Sequence, residues 1–320
     1  MMNNRQNTVP RRQLGNSDLW VSPVSLGCWP MSGISSLDVD DALSEATIHA
    51  ALENGINHFD TAYSYGYDGR SDRVIKQALR GKMDQVIIGS KVGTHYAPDQ
   101  SRVMDASPER LKRQADEIRQ RLDLDRIDLL YLHSPDRITP IEKSAEALAD
   151  LVAQGAVRYV GLSNATPDEA FRFASVIRPI VFQPPFNMLQ PDTLNALRQF
   201  IDLQGCGVAC YWPLMKGLLA GAMKRDHVFD PSDKRLTYSI FQGQAWQNAQ
   251  DLLDLLRSIA SNLEWSVTRL VVFWTMQQPN ITTVLCGAKR PSQIIESASA
   301  MYGELSAETM SQIDAAISVI

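Results

Sequence analysis

The sequence is poor in cysteine and has no paired Cys-x-x-Cys spacing. Only four cysteines occur in 320 residues, all within apolar segments: Cys28, Cys206, Cys210 and Cys286. Two of them, Cys206 and Cys210, lie in or beside a predicted strand, where their spacing does not bring both thiols to one metal ion. We therefore interpret all four as buried, reduced thiols of a cytoplasmic protein.

A long hydrophobic run and a dense basic run are also missing. The most apolar stretch, residues 270–276, is far shorter than the roughly 20 residues that cross a bilayer. Residues 1–12 are polar and have the character of neither a signal peptide nor a membrane anchor. The net charge of -5 disfavours binding to a phosphate backbone. We therefore expect no membrane partner and no nucleic-acid partner, and the sequence leaves the oligomeric state open.

The sequence also lacks the glycine-rich motif of dinucleotide-binding folds. No Gly-x-Gly-x-x-Gly follows an early apolar run, so the usual phosphate-binding turn of a doubly wound sheet is not present. The sequence does contain eight short, nearly continuous apolar runs separated by helical segments, as expected for parallel strands covered on both faces. The runs lie at residues 24–26, 56–59, 86–88, 127–132, 157–162, 180–182, 208–211 and 283–285.

The segments between these runs carry helix-start signals. Thr166 and Glu169 form a predicted capping box, and Ser107 before Pro108 predicts an N-cap with a first-turn proline. Two parallel strands must be joined by a crossover connection, usually a helix. Because there are eight runs with helical segments between them, we predict an α/β fold of the (β/α)8 TIM-barrel type. We expect a single domain over residues 1–320, with a hairpin around residues 15–17 capping the bottom of the barrel.

Four chemically useful side chains follow three consecutive predicted strands. Asp60 and Tyr65 come after the second run, Lys91 after the third and His133 after the fourth. The carboxyl ends of barrel strands share one face, about 4.8 Å from strand to strand, so these side chains can meet. Taken singly, each has an ordinary structural explanation. Together, at consecutive strand ends, they indicate a site.

The four side chains suit carbonyl reduction. A free tyrosine titrates near about 10, and a neighbouring ammonium is expected to lower the pKa of Tyr65 and strengthen it as an acid. Asp60 would keep Lys91 charged and oriented. The imidazole of His133 could hydrogen-bond the substrate oxygen and polarise it.

The motifs around these residues resemble those of the aldo-keto reductase family. In order along residues 14–300, they are Phe59-Asp60-Thr61-Ala62, Tyr65-Gly66, Ser90-Lys91, Leu132-His133, Gly161-Leu162-Ser163-Asn164 and Gln183. The resemblance implies reduction of an aldehyde or ketone by NADPH. It also implies the catalytic tetrad Asp60, Tyr65, Lys91 and His133, with Tyr65 as the general acid and no metal.

The resemblance also implies a cofactor site. Ser163, Asn164 and Gln183 would hold the nicotinamide carboxamide, with Tyr211 stacked on the ring. Further implied contacts come from the loop after the seventh strand (Pro213, Leu214, Lys216, Gly217 and Leu218) and from the segment that would bind the adenosine phosphate (Gly287, Lys289, Arg290, Gln293, Glu296 and Ser297).

Simple electrostatics supports the phosphate end of that site. Pro291 predicts a helix start, whose free N–H groups attract an anion, and Lys289 and Arg290 add two cations. We therefore favour NADP(H) over NAD(H), although both could be solvated loop charges. Gln293 stands where many family members carry an arginine for this phosphate, and Ser297 where an asparagine usually contacts adenine.

The long irregular stretch at residues 213–244 is predicted to be functional because of its length. Lys216 replaces a usual small residue and lies near the expected pyrophosphate path. Lys224, Arg225, Lys234 and Arg235 could touch cofactor phosphates or could simply be solvated. Trp29, Tyr63 and Trp212 would form an aromatic substrate pocket suited to an apolar or aromatic aldehyde, although aromatic residues near a barrel mouth also serve as core.

Two other functions remain open from the sequence. The first is a cofactor-binding, redox-sensing subunit with slow turnover, as in potassium-channel β subunits, which share the family fold. The second is a metal-dependent barrel hydrolase using His58, Asp60, His95 and His133. That class often carries His-x-His, which is absent here, and we expect no bound metal.

Overall fold

Eight parallel strands close into a barrel. The computed structural model describes residues 9–35, 38–231 and 233–318. The pairing of Val284–Gly287 with Val24–Gly27 joins the last barrel strand to the first. The predicted barrel is therefore confirmed, and each apolar run coincides with a strand. In ring order the strands are β3 (Val24–Gly27), β4 (His58–Asp60), β5 (Ile87–Val92), β8 (Ile127–Leu132), β9 (Val157–Ser163), β10 (Val181–Gln183), β11 (Gly207–Cys210) and β12 (Ile281–Gly287).

Helices cover the outside of the barrel. The helix over Pro108–Leu122 shows why: Leu111, Ala115 and Ile118 recur on one face and are fully buried, so the helix gains stability by covering the strands. The helices are α1 (Asp41–Glu53), α2 (Arg70–Ala78), α3 (Pro108–Leu122), α4 (Ile141–Ala153), α5 (Pro167–Ala174), α6 (Arg198–Gln204), α7 (Gly243–Asn262), α8 (Val267–Gln277), α9 (Pro291–Ser299) and α10 (Ala307–Ile317).

Of the two predicted N-terminal caps, one forms the expected side-chain hydrogen bonds and the other does not. The capping box of α5 is confirmed: the Glu169 amide donates to Thr166 Oγ1 over 3.3 Å, and the Thr166 amide donates to Glu169 Oε2 over 2.7 Å. Ser107 does occupy the N-cap position of α3, but its side chain caps no amide. Its hydroxyl instead donates to Asp105 Oδ1 over 2.6 Å.

A short hairpin caps the amino-terminal end of the barrel, as predicted. It consists of β1 (Arg12–Gln13) and β2 (Trp20–Val21), paired antiparallel. Gly15 in its turn has φ 54°, and a Cβ there would lie only 1.9 Å from the carbonyl oxygen of Ile180. Glycine is needed at this position because the turn approaches the barrel backbone so closely.

A second hairpin lies at the opposite end and is not predicted by the sequence analysis. It consists of β6 (Thr94–Tyr96) and β7 (Arg102–Met104), and it follows β5 directly. The turn pair Pro98-Asp99 between two strand-forming triplets is the signal that could have identified it.

The long stretch after β11 is irregular, as predicted. Its described residues include the short 3-10 turns Met215–Ala220, Lys234–Thr237 and Ser239–Phe241, before α7 begins. Within the described ranges, no helix combines the length and apolar character needed to cross a membrane. All four cysteines are free and buried.

Candidate active site

Lys91 lies at the centre of the predicted tetrad. Its Nζ donates to Asp60 Oδ1 over 2.5 Å, to the carbonyl oxygen of Thr61 over 2.7 Å and to the Tyr65 hydroxyl over 3.3 Å. Lys91 is 1% exposed and Asp60 2%. An ammonium has three N–H donors, so these three contacts fix the amine of Lys91 in position.

Strand pairing explains why these groups meet. Asp60 ends β4 opposite Gly89 of β5, and the ladder continues beyond the strand because the Tyr63 amide donates to the carbonyl of Lys91. A tight turn closed by the Tyr65 amide and the Ala62 carbonyl then returns Tyr65 toward Lys91. The loop that carries the tyrosine is thus built on the strand that carries the lysine.

His133 completes the group from the next strand of the ring. Its amide continues the β5–β8 pairing by donating to the carbonyl of Val92, and its ring lies 6.2 Å from that of Tyr65. Its Nδ1 is buried without a hydrogen-bond partner among the described residues. Burial, aided by the charges of Lys91 and Arg102, lowers the pKa of His133 well below 6.5. The imidazole is therefore neutral at pH 7 and carries one N–H.

The pKa of Tyr65 differs from the sequence-based expectation. Burial raises this pKa above 10.0, and Lys91 lowers it only in part. The phenolate would lose its hydration and would lie near Asp60, and one ammonium does not offset both effects. Burial also lowers the pKa of Lys91, but the charge of Asp60 and the contact with Tyr65 raise it more strongly. Lys91 therefore stays charged, and Tyr65 stays protonated at neutral pH.

The predicted nicotinamide residues form one hydrogen-bond network with the tetrad. Gln183 donates to Asp60 Oδ2 over 2.9 Å, and Ser163 donates to the carbonyl of Gln183 over 2.7 Å. Asn164 donates to the carbonyl of His133 over 2.9 Å and accepts from the Tyr211 hydroxyl over 2.9 Å. The amide, hydroxyl and phenol groups that suit a carboxamide thus surround the tetrad.

The predicted phosphate end lies at the start of α9. Pro291 is its first residue, and Arg290 at the N-cap position makes no side-chain capping bond, which leaves first-turn amides available to an anion. The half-buried Lys289 pairs with Asp38 over 2.9 Å, and its amide donates to Gln293 Oε1 over 2.8 Å. This donor set fits a phosphate that would compete with Asp38 for Lys289.

Two other residues of α9 are less accessible to a bound phosphate group. Ser297 is buried, and its hydroxyl donates to the carbonyl of Gln293 over 3.1 Å. Glu296 is half-buried on the same helix. Gly287 ends β12 opposite Gly27, so the chain enters this segment at the carboxyl end of the barrel.

The loop after β11 holds Lys216 between two aromatic rings. Its Nζ lies 4.1 Å from the centre of the Trp212 ring and 4.3 Å from that of Tyr238. Trp212, Met215 and Lys216 all have positive φ, at 59°, 39° and 55°, a conformation that costs energy outside glycine. Pro213 and Leu218 are buried, Leu214 is half-buried, and Gly217 has φ 91°.

Two of the other loop cations have partners within the protein. Arg225 binds Asp251 over 2.7 Å and Asp254 over 3.1 Å, both on α7. Arg235 pairs with Asp233 in its own turn. These contacts favour a structural role for both arginines over contact with a cofactor phosphate.

Of the three predicted aromatic pocket residues, Trp29 and Trp212 contact other predicted site residues and Tyr63 does not. The ring of Trp29 lies 5.2 Å from that of Tyr65, and the ring of Trp212 lies 5.2 Å from that of Tyr211. Tyr63 instead donates to Glu117 Oε2 over 2.7 Å and packs against Arg121, both on α3. Its side chain leaves the tight turn toward the helix layer, whereas that of Tyr65 turns toward Lys91.

The sequence analysis missed two contributors to the site. One is the carbonyl oxygen of Thr61, a backbone group that no residue pattern indicates. The other is Arg102 of the second hairpin, whose charge acts on His133. The proposed hydrolase ligands do not converge: in the part of the chain that the structure describes, no three His, Cys, Asp or Glu side chains are placed to hold a metal ion.

A family model for the aldo/keto reductase family matches residues 23–318. The chain belongs to the aldo/keto reductase family. The aldo-keto reductase YhdN of Bacillus subtilis is 30% identical over 284 residues, which covers 88% of this chain and 85% of the relative. The solved structure of a glycerol dehydrogenase from Gluconobacter oxydans has a TM-score of 0.90 and 29% identity, covering 97% and 95% of the two chains.

Other aldo/keto reductase relatives have different names. A probable voltage-gated potassium channel subunit beta of Oryza sativa is 29% identical over 326 residues, covering 96% of both chains. An NADH-specific methylglyoxal reductase of Escherichia coli is 28% identical over 308 residues, covering 92% of this chain and 94% of the relative. The proteins similar to this chain thus include some named as reductases and one named as a probable channel subunit.

Proposed function

We propose that this protein is an oxidoreductase that reduces an aldehyde or ketone to an alcohol, with a hydride from NADPH and a proton from Tyr65. The observation that carries the proposal is the 3.3 Å contact between Lys91 Nζ and the Tyr65 hydroxyl, beside an Asp60 that holds the lysine charged. This arrangement lies at the carboxyl face of the barrel, where barrel enzymes carry their chemistry.

The proton-transfer role of Tyr65 follows from its charge environment. The raised pKa keeps the phenol protonated at neutral pH, so the acid is present before the reaction begins. Negative charge develops on the substrate oxygen as hydride reaches the carbonyl carbon, and the phenolic proton moves to that oxygen. The ammonium of Lys91 then stabilises the phenolate that remains, and the N–H of neutral His133 hydrogen-bonds the same oxygen.

NADP(H), when bound, would supply the hydride. Ser163, Asn164, Gln183 and Tyr211 would hold and orient the nicotinamide beside the tetrad, and the start of α9 with Arg290 would bind the phosphate end. The two cations at this helix start support NADP(H), and the existence of an NADH-specific relative makes a direct comparison of the two cofactors necessary. The four free, buried thiols support a cytoplasmic location. We also propose that residues 1–320 form a single domain.

The first experiment compares binding of NADPH and NADH by fluorescence, followed by a panel of carbonyl compounds monitored by cofactor absorbance. We expect tighter binding of NADPH and turnover of at least one reactive aldehyde. A tightly held cofactor without measurable turnover would instead favour the regulatory-subunit alternative.

Replacement of Tyr65 tests the proton donor. We expect Tyr65→Phe to reduce kcat by at least about 100-fold, because the acid contributes that much in typical general acid catalysis, with NADPH binding nearly unchanged. Tyr67→Phe is the matched control, since Tyr67 is a neighbouring tyrosine that is 52% exposed and makes no contact with Lys91 in the described chain. Turnover in Tyr65→Phe equal to that of the control would exclude Tyr65 as the donor.

A further inference from the structure

Arg102 lies on a hairpin that leaves the barrel beside the tetrad. It pairs with Tyr96 across the β6–β7 hairpin, and this hairpin follows β5, the strand that carries Lys91. The ring of Tyr96 lies 4.9 Å from that of Tyr67, two residues after Tyr65. The hairpin is thus fastened to the loop that carries the proposed proton donor, at the mouth of the barrel.

The charge of Arg102 acts on two separate sides of that mouth. Burial raises the pKa of Tyr211 to about 12, and Arg102 opposes that shift. Burial and Lys91 lower the pKa of His133, and Arg102 lowers it further. His133 follows the fourth strand of the ring and Tyr211 the seventh, so the charge of Arg102 acts on groups carried by two different strands.

Arg102 is available to a ligand, whereas Lys91 and Lys216 are engaged within the protein. Lys91 is bound to Asp60, and Lys216 is held between Trp212 and Tyr238. The side chain of Arg102 is exposed and forms no hydrogen bond or ion pair with any residue of the described ranges.

Nearby carboxylates have other partners. Asp99 accepts from Ser101, Asp105 pairs with Arg110, and Asp136 accepts from backbone amides of its own loop and of Ala106. These contacts leave the guanidinium of Arg102 free for a ligand. A guanidinium binds carboxylates and phosphates through paired N–H donors, and a protein of net charge -5 needs such a local cation to attract an anion.

We propose that Arg102 binds a carboxylate or phosphate group of the carbonyl substrate, so that the preferred substrates are anionic aldehydes or ketones. The proposal rests on the proposed reductase function. In this arrangement the carbonyl lies between Tyr65 and His133, and Trp29 and Trp212 contact the intervening carbon chain.

Matched substrate pairs test the proposal on the full-length protein with NADPH. One pair is 4-carboxybenzaldehyde with its neutral amide, and the other is glyceraldehyde 3-phosphate with glyceraldehyde. We expect the value of kcat/KM for the charged member to exceed that of the neutral member in at least one pair, mainly through KM. The pair that responds identifies carboxylate or phosphate as the preferred group.

The Arg102→Gln variant assigns that preference to this side chain. We expect kcat/KM for the anionic substrate to fall by at least roughly tenfold, the usual effect of losing one charge-assisted hydrogen bond, with less than about a twofold change for the neutral partner. Arg102→Lys should restore part of the loss. Lys82→Gln is the matched control, because it removes one exposed positive charge before β5, at the opposite end of the barrel.

The outcomes separate this inference from the reductase proposal. Equal losses for charged and neutral substrates, or a loss confined to NADPH affinity, would show that Arg102 does not recognise a substrate anion. If no carbonyl is turned over, the reductase proposal fails, and binding of 4-hydroxymethylbenzoate to the NADPH-loaded protein decides the role of Arg102. Binding that weakens in Arg102→Gln supports the anion site, and equal binding by both proteins contradicts it.

Discussion

The chemistry of single residues here depends on burial as much as on neighbours. Lys91 remains charged at 1% exposure because Asp60 and the carbonyl of Thr61 replace its lost hydration. Tyr65 has one ammonium as a neighbour, and burial still raises its pKa. Proximity to a cation alone therefore does not predict the acidity of a buried phenol.

The pH dependence of reduction tests whether the pKa of Tyr65 is raised or lowered. In the proposed mechanism protonated Tyr65 is the active form, and the pKa of Tyr65 lies above 10.0. We expect kcat/KM for reduction of a neutral aldehyde to stay constant between about pH 6 and about pH 9 and to fall only at more alkaline pH. His133 adds no change in this window because its pKa lies well below 6.5. A fall in kcat/KM centred between about pH 7 and about pH 8 would show that Lys91 outweighs burial.

At the scale of elements, strand glycines make space for residues that fill the barrel. A Cβ on Gly161 of β9 would lie 2.4 Å from Cδ1 of Tyr131. Tyr131 is fully buried in β8, so its ring has no solvent into which it can move. Gly27 of β3 differs, because a Cβ there would meet its nearest atom at 3.6 Å, an ordinary contact.

We expect replacement by alanine to reduce the free energy of unfolding by different amounts at Gly161 and Gly27. Gly161→Ala should reduce the free energy of unfolding by about 1–3 kcal/mol through overpacking, whereas Gly27→Ala should cost less than about 1 kcal/mol. Urea unfolding of both variants measures the difference. An equal loss of stability in the two would show that the space around Tyr131 can expand.

At the scale of the whole molecule, the closed barrel and its helix layer hide every thiol. Burial raises the pKa of Cys206 and of Cys286 to about 12 and raises those of Cys28 and Cys210 further. Thiolate is the reactive form of cysteine, so both exposure and ionisation are suppressed by the fold.

Titration with dithiobisnitrobenzoate at pH 8 tests this protection. We expect almost no reaction with the native protein within minutes, and reaction of all four cysteines after unfolding in guanidinium. Rapid release of one or more equivalents from native protein would show that the barrel opens locally at a cysteine-bearing strand.

The local sequence was sufficient to predict the architecture and the meeting of Asp60, Tyr65 and Lys91. Continuous apolar runs such as residues 127–132 coincide with strands because burial on both faces leaves no polar alternation. Asp60, Lys91 and His133 could be placed at one face because parallel strands end together. The β6–β7 hairpin was not predicted, because three-residue strands carry too little periodic signal.

The sequence by itself therefore determined the order of the helices and strands and the side chains that follow each strand, because both depend on the local hydrophobic pattern. Tertiary structure decided the rest. It directed Tyr63 to α3 and Tyr65 to Lys91, placed Lys216 between two rings, and placed Arg102 on the hairpin that follows β5. Side-chain direction, desolvation and charge separation depend on atoms from distant parts of the chain, and no local pattern encodes them.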